Sequence, residues 1–136
     1  MPSKTTLKHA RQAARQGKRP TTQAGEFVRE EIEHVRRGKH GARSTKQAIA
    51  IGLSKARRAG VKLPPPKAGQ VSEKTRQSAA NAYRTGKTAQ RRKPSGRRSR
   101  ATLQALKREG HQAASPTALA RHARAAARRR EGRTRM

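Results

Sequence analysis

"AGEFVREEIEHVRRG", Ala24 to Gly38, decides how the rest of the chain is read. Ala24, Val28, Ile32 and Val35 recur at the spacing of one face of a 3.6-residue helix, with Phe27 at its flank. Thr22 is placed to cap such a helix, and Gly38 suits the left-handed position just past its end. With Val28 at the centre of the buried stripe, Glu26, Glu30 and Glu33 point outward and Glu31 lies at the seam. The pairs Arg29–Glu33 and Glu33–Arg37 stand four apart and support the helix by a few tenths of a kcal/mol each. The stretch holds four of only 7 acids in a chain with 36 Lys and Arg, so it marks the part that folds.

A second helix follows from Thr45 to about Ala59. "STKQ", Ser44 to Gln47, is a capping box: Ser44 caps and Gln47 reaches back. Ile49, Leu53 and Ala56 form its stripe, Gly60 stops it, and Pro64, Pro65 and Pro66 forbid its continuation. Gly52 falls on the inner face, where it costs roughly 1 kcal/mol against Ala unless a neighbouring helix needs the space. Ile51 points away from that stripe, between Lys55 and Arg58.

The surroundings are of another kind. The chain has 136 residues, 30% hydrophobic, 1% aromatic, a net charge of +29 and a mean hydropathy of −1.16. Low hydrophobicity with high net charge leaves too little apolar surface to offset chain entropy over the whole length. Residues 1–19 carry six cations and no acid, residues 20–63 ten and four, residues 64–136 twenty and three. The expected fold class is therefore all-α: a small helical hairpin over 22–63, a basic arm over 1–21, and a basic Ala/Arg-rich tail over 64–136. The arm and tail are expected to be partly helical or disordered. Marginal helices are expected at Thr5–Arg15, Glu73–Thr85, Arg100–Glu109 and Pro116–Glu131, the last with Ser115 as cap and Pro116 at its first position. The triplet Arg-x-Gly recurs, ending at Gly17, Gly38, Gly60, Gly86, Gly110 and Gly132, and reads as repeated helix-stop punctuation.

Catalytic chemistry finds no footing. "TGKT", Thr85 to Thr88, resembles the end of a phosphate-binding loop, but Asn81 stands where the pattern needs Gly. There is no Cys, and His9, His34, His40, His111 and His122 show no metal-binding spacing, so no metal and no cofactor are expected. No apolar run approaches the ~20 residues of a membrane span, and none follows the N-terminus as a secretory leader would require.

A charge of +29 calls for a polyanion. "RRGKHGARSTK" gathers Arg36, Arg37, Lys39, His40, Arg43, Ser44 and Lys46 at the start of the second helix, whose free amides and dipole favour an anion. Arg57 and Arg58 close that helix. "QRRKPSGRRSR" adds Arg91, Arg92, Lys93, Arg97, Arg98 and Arg100, and the last helix adds Arg128, Arg129 and Arg130. These are the expected phosphate contacts. With Phe27 in the core and Tyr83 the one other aromatic, stacking on single strands is disfavoured.

The block from Ala24 to Pro66, and most specifically "STKQAIAIGLSKARRAG", resembles a small bacterial family of unknown function whose members are usually labelled DNA-binding proteins. The resemblance implies a bacterial source and DNA as partner, and supplies no catalytic residues. Together with the composition it gives the expected function: sequence-tolerant binding of double-stranded DNA by a nucleoid-associated, histone-like protein in the cytoplasm. RNA or ribosome binding is the nearest alternative. The other is a non-enzymatic adaptor whose hairpin docks a protein while the arms tether it to nucleic acid. A hairpin of this size also invites self-association.

Overall fold

A computed structural model describes residues 2–87 and 96–134, and the described residues hold six α-helices, one 3₁₀ turn and no strand. The helices are α1 (Lys4–Arg15), α2 (Pro20–Arg36), α3 (Thr45–Arg58), α4 (Glu73–Lys87), α5 (Gly96–Lys107) and α6 (Pro116–Thr134). The 3₁₀ turn, Gln112–Ala114, precedes α6. Among the described residues no helix is long and apolar enough to cross a membrane.

The two expected helices are present as α2 and α3, and they form the centre of the packing. Ser44 caps α3 by accepting from the Gln47 amide at 3.1 Å, and Gln47 reaches back to the Arg43 amide at 2.7 Å. Gly38 takes φ +78, as the end of α2 requires. Gly17 and Gly60 end α1 and α3 in the same way, whereas Gly86 and Gly132 lie inside helices, so the Arg-x-Gly triplet is punctuation at three of its six occurrences. The start of α2 differs from expectation. The helix opens at Pro20, with extended Arg19 before it, and Thr22 lies inside the first turn rather than at the cap. Proline at that position sacrifices no helical hydrogen bond and arrives with its φ already set.

The buried face of α2 is also turned from the Val28-centred stripe. Ala24, Phe27, Glu31 and Val35 are its buried residues, and Val28 and Ile32 are only partly covered. The cause is α1. Leu7 and Ala10 pack with Ala24, Phe27, Ala56 and Val61, so residues read as a free arm supply one wall of the core. Sandwiched between α1 and α3, α2 buries a wider face than a two-helix pair would.

Gly52 is needed where α2 and α3 cross. A Cβ there would stand 2.6 Å from Val28 Cα, closer than packed atoms tolerate. Beyond α3, buried Arg57 donates from Nε to Leu63 O and from Nη2 to Pro64 O, both at 3.1 Å. It thereby fixes the proline segment that leads away from the helix. Ser72 caps α4 through the Thr75 amide, and α4 lays Ala79 and Ala82 along α3. Its Gly86 leaves no room for a Cβ against Arg57 O.

The tail does not simply trail. The Gly41 amide donates to Leu106 O at 2.8 Å and the Ala42 amide to Gly110 O at 3.0 Å. Thr45 Oγ1 donates to Ala113 O, and Ala113 and Ala114 join Val35, Ala42 and Ala48 in a second apolar cluster. Ser115 then caps α6 at the Ala118 amide, as expected. By contrast, α5 has no buried residue and its Leu103 is 42% exposed. The hairpin thus lies within a larger set of helical contacts, with α1, α4 and the 3₁₀ turn packed on it.

Two glycines should respond oppositely to one added methyl group. Gly25→Ala, in α2 with nothing within 4 Å of the new Cβ, should raise stability by about 1 kcal/mol. Gly52→Ala should lower it by about 1–3 kcal/mol despite the same propensity gain, because α3 must move off Val28. Urea unfolding followed by circular dichroism measures both.

Candidate nucleic-acid interface

The acidic stretch of α2 divides into separate tasks. Glu30 accepts the Ser3 amide at 2.8 Å, at the start of α1, where a negative charge favours the helix dipole. Glu26 stands 3.6 Å from His9 Nδ1 on α1 and 3.1 Å from Arg29. The stripe alone directs both toward solvent; α1 covers them instead. Glu33 keeps to its own helix, pairing with Arg36 at 3.0 Å and Arg37 at 3.6 Å. The expected pair Arg29–Glu33 is replaced by Arg29–Glu26.

Glu31 goes inward. Its side chain is 1% exposed, and its two oxygens meet different partners. Oε1 is 2.7 Å from His40 Nε2, and Oε2 is 2.6 Å from Lys55 Nζ. His40 Nδ1 lies 2.8 Å from Gly41 O, so the ring is held at both nitrogens. His34, one turn on from Glu31, crosses the His40 ring edge-on at 6.0 Å between centroids. Its Nδ1 is 3.8 Å from Glu31 and its Nε2 3.6 Å from Glu30. Burial holds the His34 pKa below its ordinary 6.5, reinforced by Lys55 and Lys39 and opposed by Glu31 and Glu30. Among the described residues no buried side-chain nitrogen or oxygen lacks a partner.

This geometry revises the expected phosphate contacts. His40 is 6% exposed and bound to Glu31, so its position is internal and structural. Arg57 is 7% exposed and held by two carbonyls, which removes it as well. The start of α3 is a weaker anion site than its sequence implies, because Ser44 already takes the Gln47 amide and Thr45 is buried against Ala113. Around it, Arg36, Arg37, Lys39, Arg43, Ser44 and Lys46 are all exposed, with Arg36 reaching Glu33 and Ala114 O and Arg37 reaching Glu33. Arg58 is exposed at the opposite end of α3, about 18 Å from Lys46 at the helical rise. Arg97, Arg98 and Arg100 lie exposed on α5, and Arg128, Arg129 and Arg130 on the last turns of α6. Arg91, Arg92 and Lys93 fall outside the described residues. Both aromatics are engaged: Phe27 is 1% exposed, and Lys87 Nζ sits 4.3 Å over the Tyr83 ring.

Residues 3–67 match a family of unknown function, DUF6496. The matched segment spans α1, α2, α3 and the proline segment that Arg57 pins, so it reaches further toward the N-terminus than the resemblance read from Ala24 to Pro66. The family description assigns no function and carries no DNA-binding label. No curated protein and no solved structure matches the chain.

The sequence reading missed Glu31, His34, His40 and Lys55 as one group. The signal was present in part. Glu31-x-x-His34 places both side chains on one helical face, and Glu31 lies at the seam of the apolar stripe rather than opposite it.

His34 gives a pH signature. Its folded pKa lies below 6.5, so between those values the unfolded chain binds a proton that the folded chain refuses. Stability therefore falls as pH drops from above 6.5 toward the depressed value. His34→Gln removes this component. The urea midpoint of the wild type should lose more between pH 7.5 and 5 than that of His34→Gln.

Proposed function

We propose that the protein binds double-stranded nucleic acid, DNA foremost, without regard to sequence, and performs no catalysis. The observation that carries this reading is how the few acids are used. The net charge is +29, and four of the 7 acids are turned onto α1, onto His40 and Lys55, or onto their own helix. The exposed surface at Lys39, Arg43 and Lys46 is thus cationic, with Arg37 beside them sharing Glu33 and further arginines along α5 and α6. Such a surface attracts phosphate by releasing condensed counterions, which gives affinity but no sequence information. With Phe27 buried and Tyr83 under Lys87, no aromatic platform favours single strands. A nucleoid-associated, histone-like role agrees with this chemistry.

Affinity for a duplex should fall steeply with salt. About ten neutralised phosphates give a slope of log affinity against log salt near −9. Changing Arg37, Lys39, Arg43 and Lys46 together to Gln should reduce that slope by about 3–4. Native and shuffled DNA of equal length should bind alike, and a single strand more weakly. A flat salt response would refute polyanion binding. A duplex RNA that outcompetes DNA of the same length would move the partner to RNA.

A further inference from the structure

We propose that Glu31, His34 and His40 form a binding site for one divalent transition-metal ion of the zinc type, held closed in the ion-free chain by the Lys55 ammonium. These three offer one ligand atom each, and the atoms all lie within 4.8 Å of one another. Among the described residues no other group of three His, Cys, Asp or Glu does so.

Three features distinguish this group from an incidental cluster. The first is the donor set. Two imidazoles and one carboxylate are borderline ligands that suit zinc, and three protein ligands leave a fourth position for water. In a tetrahedral site with bonds of about 2.0–2.1 Å, ligand atoms stand roughly 3.3 Å apart. Here His40 Nε2 is 2.7 Å from Glu31 Oε1 and His34 Nδ1 is 3.8 Å from Glu31 Oε2, so a small turn of the carboxylate would be needed to present one oxygen to both rings.

The second feature is the outer shell. A metal-bound imidazole usually donates its other nitrogen to a carbonyl or a carboxylate, which fixes the ring and the tautomer. His40 Nδ1 faces Gly41 O at 2.8 Å, and His34 Nε2 faces Glu30 at 3.6 Å. Each ring is thereby oriented with its remaining nitrogen toward Glu31. Burial also favours the neutral form of His34, the form that has a lone pair to give.

The third feature is the cation already present. Lys55 Nζ stands 2.6 Å from Glu31 Oε2, where it neutralises the buried carboxylate. Its side chain is 28% exposed against 1% for Glu31, so its stem leads from the interior to the edge of the protein. A long, flexible side chain of that kind can move outward and leave the carboxylate to a stronger cation. The ion would then bridge α2 and the loop that carries Gly41 and Ala42, to which residues 106–110 are hydrogen-bonded. Metal binding would tighten the seat of the tail.

The test uses the full chain, with Zn²⁺ followed by calorimetry and Co²⁺ by its visible absorption. The wild type should bind one Zn²⁺ per chain. Lys55→Met should bind at least about tenfold tighter, because one positive charge near the site is removed. His34→Gln should abolish the Co²⁺ bands, whereas His9→Gln and His111→Gln should leave them unchanged. Zn²⁺ should also raise the melting midpoint more in Lys55→Met than in the wild type, a readout that survives if His34→Gln fails to fold. Absence of saturable binding in both the wild type and Lys55→Met would overturn the proposal. So would binding that persists in His34→Gln, or an equal Zn²⁺ effect on the two melting midpoints.

Discussion

A carboxylate with 1% of its side chain exposed needs a polar partner at each oxygen, and Glu31 has one in His40 and one in Lys55. Much of the fold is arranged around that requirement. Lys55 draws α3 to α2 about one turn on from the Gly52 crossing. His40 draws in the loop between the helices and fastens it through Gly41 O. With the loop so placed, the amides of Gly41 and Ala42 face Leu106 O and Gly110 O, and Ala113 and Ala114 close over Val35 and Ala48. The polar centre thus separates two apolar clusters, one built on Phe27 and α1, the other on Val35 and the 3₁₀ turn. In so small a core, a partnered ion group specifies register where apolar contacts alone are few.

The parts legible from sequence are those governed by local rules. The presence of α2, its end at Gly38 and the span of α3 follow from apolar periodicity and glycine, and the Ser44 and Ser115 caps from side-chain chemistry within three residues. Gly52 was readable as a close approach because a glycine inside a helix needs a reason. What escaped depends on distant segments. The turn of α2 toward Phe27 and Glu31 needs α1, whose Ala-rich face carries little signal. His40 reads as a loop cation because the carboxylate that holds it, Glu31, lies 9 residues before it and is itself shared with Lys55 on the next helix. The docking of residues 106–114 is made mostly by backbone groups and alanines, which leave almost no pattern.

The same arrangement separates the charges by function. Four of the acids serve α1, the His40 and Lys55 contacts, or their own helix. Arg57 shows that a basic residue in this chain is not automatically a phosphate ligand: its guanidinium holds Leu63 and Pro64 carbonyls within the protein. Counting arginines therefore overstates the cations that the surface offers.

The most direct measurement of the Glu31 centre is a double-mutant cycle with Glu31→Gln and His40→Gln, read by urea unfolding in the presence of a chelator. If the two side chains act as one buried unit, each single change costs about 3 kcal/mol or more. The double change should then cost less than their sum by about 1.5–3 kcal/mol. Additivity within about 0.5 kcal/mol would show that the two residues contribute independently, and would contradict a fold organised around the buried carboxylate.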